Sequence, residues 1–195
     1  MAQVRLATLA EVEAEVWRQL ARATHDKHHA WRSPVLATAT GEGADARTVI
    51  LREVDADARV LRIYTDERAA KVAQLMSHPI GTVVMWSRAL GWQLRCRVRL
   101  TVQSQGLAAT SRWALVKLSP AAQDYLSPLP PGSDLVGGPP VTAQPDDAGR
   151  QPQPQPQSHF AIIEAQVLVI DWLELHRDGH RRAVFDAEGA RWVQP

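Results

Sequence analysis

Arg47, Arg68 and Lys71 stand at the two ends of a stretch that reads as strand, turn, strand and helix start: Arg47-Thr-Val-Ile-Leu-Arg52, then Leu61-Arg-Ile-Tyr64-Thr-Asp-Glu-Arg68-Ala-Ala-Lys71. A phosphate monoester wants fixed cations and backbone donors, and arginine suits it because its planar fork bonds two oxygens at once. The three cations converge if the strand beginning at Arg47 lies beside the strand ending at Tyr64. The blander reading is that Arg68 and Lys71 form a solvated i, i+3 pair on an exposed helix.

A second group lies far along the chain. His180 and Arg182 are two apart, which places them on one face of a strand, and Trp172 offers a flat apolar wall. An aromatic ligand with polar edges fits such a place, and so does a core tryptophan beside an exposed basic hairpin. Arg95, Arg97 and Arg99 alternate along one strand face and could follow nucleic-acid phosphates, yet no aromatic residues interleave with them for stacking. The cluster His25-Asp-Lys-His28-His29 reads as a solvated connection rather than a metal site. There is no Gly-rich phosphate loop, no serine nucleophile elbow and no closely paired carboxylates, so any demanding chemistry here falls to a cofactor.

The totals bound what surrounds these residues. The 195 residues suit one domain with a proper core, and a formal net charge of +1 argues against a general nucleic-acid binder. Between Arg47 and Arg112 there are eleven Arg or Lys and five Asp or Glu, a balance of +6, which leaves −5 for the rest. A basic excess held in one block fits a local anionic ligand better than a long polyanion. Cys96 is the single cysteine, so no disulfide within the chain is possible; with no signal-peptide pattern at Met1 and no long apolar run, the expectation is a cytoplasmic protein without a membrane segment.

The elements that must position the cations follow from periodicity. Leu9, Val12, Val16 and Leu20 recur at helical spacing over Thr8 to Ala23, with a Thr8/Glu11 capping box. Val35 to Thr40 and Arg47 to Val54 read as a hairpin, and Arg59 to Tyr64 continues it into a three-stranded antiparallel meander. Glu67 to Ser77 reads as a helix with Val72, Leu75 and Met76 on its buried face, stopped by His78-Pro79. Ile80 to Trp86 and Gln93 to Gln103 are strands, the second alternating Leu94, Cys96, Val98 and Leu100 against Gln93, Arg95, Arg97 and Arg99. Gly106 to Leu118 and Pro120 to Leu126 read as helices. Ser127 to Ser158 holds nine of the thirteen prolines and ends in a Gln-Pro tract, the composition of a flexible loop with polyproline II character. Ala161 to Trp172, Arg181 to Phe185 and Arg191 to Val193 complete the strands. The sum is mainly β, an antiparallel barrel with flanking helices.

Taken together in order, Leu36-Ala-Thr before a glycine turn, Arg47-Thr-Val-Ile-Leu-Arg52, Tyr64-Thr-Asp-Glu-Arg68 with Lys71, Gln93-Leu-Arg, and Trp172 with His180 and Arg182 resemble the pyridoxamine 5'-phosphate oxidase family, in particular its bacterial FMN-binding branch. The resemblance covers about Trp31 to Gln103 and Phe160 to Pro195. It implies an antiparallel split β-barrel, a homodimer with FMN at the subunit interface, and an oxidoreductase acting on a small molecule. It implies that Arg47 and Lys71 contact the FMN phosphate with Arg68 helping, and that Thr48, Val49, Leu51, Arg52, Tyr64 and Thr65 run beside the flavin and ribityl chain. Gln93, Trp172 and Arg182 would reach the flavin largely from the partner, with Arg52 and His180 on the substrate side. Ala69-Ala70 stands where relatives carry residues that add phosphate contacts, and the vitamin oxidase has a lysine where Arg52 stands and an arginine near Asp178, both used for its phosphorylated substrate. A non-catalytic flavin carrier or sensor, and a barrel holding a deazaflavin or haem, are the alternatives.

Overall fold

The capping box at Thr8 starts the first helix. The Thr8 hydroxyl accepts from the Glu11 N–H at 3.2 Å and the Glu11 carboxylate accepts from the Thr8 N–H at 3.0 Å, opening α1 (Leu9–His25). Its stripe of Val12, Val16, Trp17, Leu20 and Ala23 is buried. The computed structural model describes residues 5–135, 138 and 158–195. Most of the Pro- and Gln-rich stretch from Ser127 to Ser158 therefore lies outside the described residues.

The strands are β1 (Val35–Thr40), β2 (Gly43–Thr48), β3 (Leu51–Asp55), β4 (Val60–Asp66), β5 (Ile80–Ser87), β6 (Trp92–Gln103), β7 (Phe160–Glu174), β8 (Arg181–Asp186) and β9 (Gly189–Val193). Helices α2 (Ala70–Ser77) and α3 (Gly106–Val116) flank them, and short 3-10 turns occupy Ala30–Arg32 and Pro120–Tyr125. All nine strands form one antiparallel sheet in the order β2-β1-β5-β6-β7-β4-β3, with β8 on β7 and β9 on β8. Strand β7 pairs with β6 along its length on one side, and on the other with β4 and then β8.

The single strand expected from Arg47 to Val54 is two. β1 begins only after Pro34, which has no N–H to give, so β2 loses its ladder partner beyond Thr48. Val49 still donates to the Pro34 carbonyl at 2.9 Å and buries its side chain, and Leu51 is fully buried at the start of β3. Consequently β1–β2 and β3–β4 are hairpins, but β2 and β3 end opposite edges of the sheet order instead of pairing as a meander. Two residues join those edges, so the sheet has to curl on itself, giving a mainly antiparallel split barrel.

Two further expectations change. Helix α2 begins at Ala70 rather than Glu67 because the Asp66 carboxylate accepts the Arg68 N–H at 2.8 Å, holding the chain in a turn first. Met76 is 81% exposed, whereas Val72 and Leu75 are buried: Met76 lies in the last turn of α2, which ends at Ser77. The alternation of β6 holds, with Leu94, Cys96, Val98 and Leu100 inward and Arg95, Arg97 and Arg99 outward. Trp31, Trp92 and Trp172 share the inner core; the Trp92 and Trp172 rings meet edge to face at 5.2 Å.

Close approach of β1, β5 and β6 depends on Gly81. A Cβ there would lie 2.8 Å from the Ala37 carbonyl oxygen and 2.7 Å from Leu100 Cδ1. The leucine tip can give way; the carbonyl cannot without opening the β1–β5 ladder. Gly81→Ala is expected to cost roughly 1–3 kcal/mol, read as a lower urea midpoint at unchanged m-value. Gly41→Ala, where nothing lies within 4 Å, serves as the near-neutral control.

Candidate functional site

Arg47 leaves β2 on the side of Leu36 and Thr38, toward α2. Its Nη1 donates to the Leu36 carbonyl at 3.2 Å and to Thr38 Oγ1 at 2.7 Å; its Nη2 donates to Gln74 Oε1 at 2.9 Å and to the Asp45 carboxylate. Lys71, in the first turn of α2, donates to Thr65 Oγ1 at 2.9 Å. Burial, and after it the charge of Arg47, hold the Lys71 amine below the ordinary lysine range. Gln74, one turn after Lys71 on α2, bonds Arg47, which places the two cations on the same side of the helix. No side chain caps the N-terminus of α2, where Ala69 is the cap residue, so its first N–H groups add positive potential to the same place.

Arg68 goes elsewhere. It forks onto Asp66 with Nε at 3.0 Å and Nη2 at 2.6 Å, and Nη2 also reaches the Ser127 carbonyl at 2.9 Å. The convergence of three cations expected from the sequence is therefore a convergence of two. Thr48, at the end of β2, is exposed, and Val49 and Leu51 belong to the core.

Arg52 sits in a β-bulge: Leu51 pairs with Ile63 and Glu53 with Arg62, leaving Arg52 unpaired between them. The bulge turns it onto the Tyr64 ring, 5.7 Å from the centroid, and its Nε is buried without a partner. Tyr64 donates to Glu53 Oε1 at 2.6 Å, and Arg112 of α3 forks onto the same carboxylate at 2.5 and 2.7 Å. The Arg112 bond first, and the Tyr64 bond and Arg62 charge after burial's opposing push, keep Glu53 below the usual glutamate range; burial and then Glu53 raise the Tyr64 phenol. Tyr64 and Thr65 consequently point to opposite faces of β4.

Gln93 and Arg182 share the outer face. Their register runs Trp86, Gln93, Leu173, Arg182 across β5, β6, β7 and β8. Arg182 is held by a fork onto Asp171, at 2.9 and 2.7 Å, and Arg95 bonds the same carboxylate. Trp172 is on the other face and fully buried, so it is a core residue and lines no surface of the single chain. The exposed ring beside Gln93 is Trp86, 46% exposed, which sequence reasoning absorbed into an apolar strand. Its partnership with Gln93 is set by register, which no local pattern reveals. His180 precedes β8 rather than sharing a strand face with Arg182; it is exposed and its Nδ1 accepts the His176 N–H at 3.2 Å.

Residues 14–104 match the family model described as pyridoxamine 5'-phosphate oxidase, FMN-binding domain. Over those residues the chain is similar to the FMN-binding domain of that family. The match carries Arg47, Arg52, Tyr64, Lys71 and Gln93 and stops short of Trp172 and Arg182. No curated protein matches the chain by sequence. Among solved structures, a pyridoxamine 5'-phosphate oxidase-related FMN-binding protein from Nostoc punctiforme is 21% identical with TM-score 0.68, covering 98% of this chain and 100% of that one. PhzG from Burkholderia lata, solved with tetrahydrophenazine-1-carboxylic acid, is 16% identical with TM-score 0.69, covering 99% and 98%. A heme-binding protein from Mycobacterium smegmatis is 16% identical with TM-score 0.54, covering 95% of this chain and 60% of its own. These likenesses show the fold of the pyridoxamine 5'-phosphate oxidase-like family. Among the described residues no three or more His, Cys, Asp or Glu group to hold a metal, and no helix is long and apolar enough to cross a membrane.

The Glu53 cluster carries a pH signature. An unfolded glutamate titrates near 4.5 and Glu53 in the fold lies below that. Its contribution to stability is therefore complete above 4.5 and is lost as pH falls through the folded value. Glu53→Gln is expected to flatten the dependence of urea stability on pH below about 5. An unchanged acid slope in that variant contradicts the role assigned to the cluster.

Proposed function

We propose that this protein is a cytoplasmic, homodimeric FMN-dependent oxidoreductase acting on a small molecule. The observation that carries the reading is the pairing of Arg47 with the half-buried amine of Lys71 at the uncapped N-terminus of α2. Two fixed cations beside free helix N–H groups are what a phosphate monoester requires. Lys71 spends one donor on Thr65 and keeps others for a ligand oxygen. The residues therefore fit the phosphate end of FMN.

When bound, the flavin supplies hydride exchange at N5; the protein supplies position and field. Arg47 and Lys71 hold the phosphate, and Thr65 orients Lys71. Arg52, laid over Tyr64 by its bulge and free of a carboxylate partner among the described residues, offers a cation to an anionic substrate edge. Gln93, Arg182 and Trp86 lie on the face opposite the one Arg47 uses, and in a dimer they complete the partner's site. In this reading Trp86 supplies the exposed aromatic wall and Trp172 stiffens the core behind it.

A non-catalytic FMN carrier or sensor is the second reading. Asp178 favours it: its carboxylate is exposed on the β7–β8 loop two residues from His180 and would repel an anionic substrate there.

Purified protein is expected to be yellow, or to become so with FMN. Lys71→Met and Arg47→Lys should each weaken FMN binding by about 10- to 100-fold, the effect of losing one charge-assisted phosphate contact. Riboflavin, lacking the phosphate, should be affected little. Fluorescence titration measures both. Protein that stays colourless with FMN overturns the proposal, and FMN binding without turnover of reduced nicotinamides or aminated pyridines selects the carrier.

A further inference from the structure

The Arg47 guanidinium is already nearly spent. Of its five N–H donors, both on Nη1 go to the Leu36 carbonyl and Thr38, and both on Nη2 go to Gln74 and Asp45. The partners bond one another: the Thr38 hydroxyl donates to Gln74 Oε1 at 2.7 Å, and Gln74 Nε2 donates to Asp45 Oδ2 at 2.9 Å. Arg47, Asp45, Gln74 and Thr38 form a closed ring in which Asp45 is the one anion.

We infer that Asp45 is an internal competitor for the phosphate, a carboxylate that stands in for the ligand's oxygens and sets how tightly the cradle takes a phosphorylated molecule. The inference rests on the reading of Arg47 as a phosphate ligand. The asymmetry of the ring supports it. The Arg47 side chain is 20% exposed and pinned by Leu36 and Thr38, whereas the Asp45 side chain is 47% exposed on an edge strand. Asp45 can leave while Arg47 stays in place. Its departure frees an Nη2 donor of Arg47 and Nε2 of Gln74 together, both aimed at the position its oxygen held. A phosphate oxygen arriving there inherits two donors without any movement of Arg47, and Gln74 becomes a ligand-side residue that sequence reasoning did not single out.

The charge balance follows. With Asp45 in place the pair Arg47 and Lys71 carries a local net of +1; without it the pair carries +2. A displaced carboxylate remains attached to β2 beside the incoming dianion, so it opposes binding even after it has moved. The cradle is thereby biased toward ligands whose remaining parts contribute strongly to binding, and against free phosphate.

Asp45→Asn tests this directly, because it keeps an oxygen for Arg47 and removes the charge. FMN and riboflavin are titrated by fluorescence against the wild-type protein and the variant, and thermal melting is followed with inorganic phosphate added. The expected result is FMN affinity higher by on the order of tenfold in the variant, riboflavin affinity unchanged, and a larger phosphate-induced rise in Tm. Asp45→Ala should act in the same direction. Equal or weaker FMN binding by both variants overturns the inference and makes Asp45 an anchor that orients Arg47. Should neither protein take up FMN, the proposed cofactor fails, and the phosphate arm alone decides: a larger Tm rise in the variant upholds Asp45 as the competitor, and equal rises overturn it.

Discussion

The two-residue connection at Val49 and Ile50 constrains everything around it. Strands β2 and β3 are consecutive in the chain yet terminate opposite edges of the sheet order. The sheet can satisfy that only by curling until its edges are within reach of one short span. Burial of Val49 and Leu51 pins the span to the core, and the bulge that follows at Arg52 gives β3 the extra bend that closing a sheet requires. The same connection sorts the cations. Arg47, before the crossing, turns toward α2; Arg52, after it, lies over Tyr64. Five positions of sequence thereby supply two different neighbourhoods.

Charge along this chain has to be read as spent or unspent. The basic block from Arg47 to Arg112 suggests a positive surface, but many of its cations are consumed within the fold. Arg68 neutralises Asp66, Arg112 neutralises Glu53, Arg62 meets Glu53 and Glu164, and Arg95 shares Asp171 with Arg182. Partly buried pairs of this kind contribute orientation more than net stability. Beside α2 what remains is the Lys71 amine and the helix N-terminus, with the bulged Arg52 over Tyr64; Arg88, Arg97 and Arg99 are exposed and enter no ion pair among the described residues.

Much of this was legible in the residues. Period-two alternation in β6 and the Thr8 capping box each write their structure into a few adjacent side chains. The strand reading missed how Arg47 comes near α2: the helix packs over β1 and β6, and Gln74, one turn after Lys71, bonds Arg47 without β2 lying beside β4. Illegible features depend on where distant elements meet. Arg47 to Val54 is uniformly strand-like, and only the loss of β1 as a partner beyond Pro34 divides it. Nothing near Arg68 announces that Asp66 and the Ser127 carbonyl will claim it. Trp86 and Trp172 look alike as aromatics in apolar strands; a single step of register puts one in solvent and the other in the core.

The placement of the candidate residues on two faces bears on how many chains make one site. Side chains on the inner and outer faces of a sheet point away from each other across the backbone, and packed layers are about 10 Å apart. Arg47 shares a face with Leu36 and Thr38, toward the core and α2, whereas Gln93, Arg182 and Trp86 share the opposite face. A ligand lying against Arg47 and Lys71 at the sheet edge meets the Gln93 row of the same chain only by bending around the barrel wall. In the proposed dimer, a second copy laid against the outer face would bring its own cradle to that row. The outer face also carries Val35, Ile80 and Trp86, all exposed, beside the Arg95, Asp171 and Arg182 cluster. Apolar groups around a fixed charge pair are the composition of a surface that another protein surface covers. The two-chain reading thus rests on the geometry of the sheet: residues that one function would recruit together are held apart by the fold, and symmetry is the simplest way to reunite them.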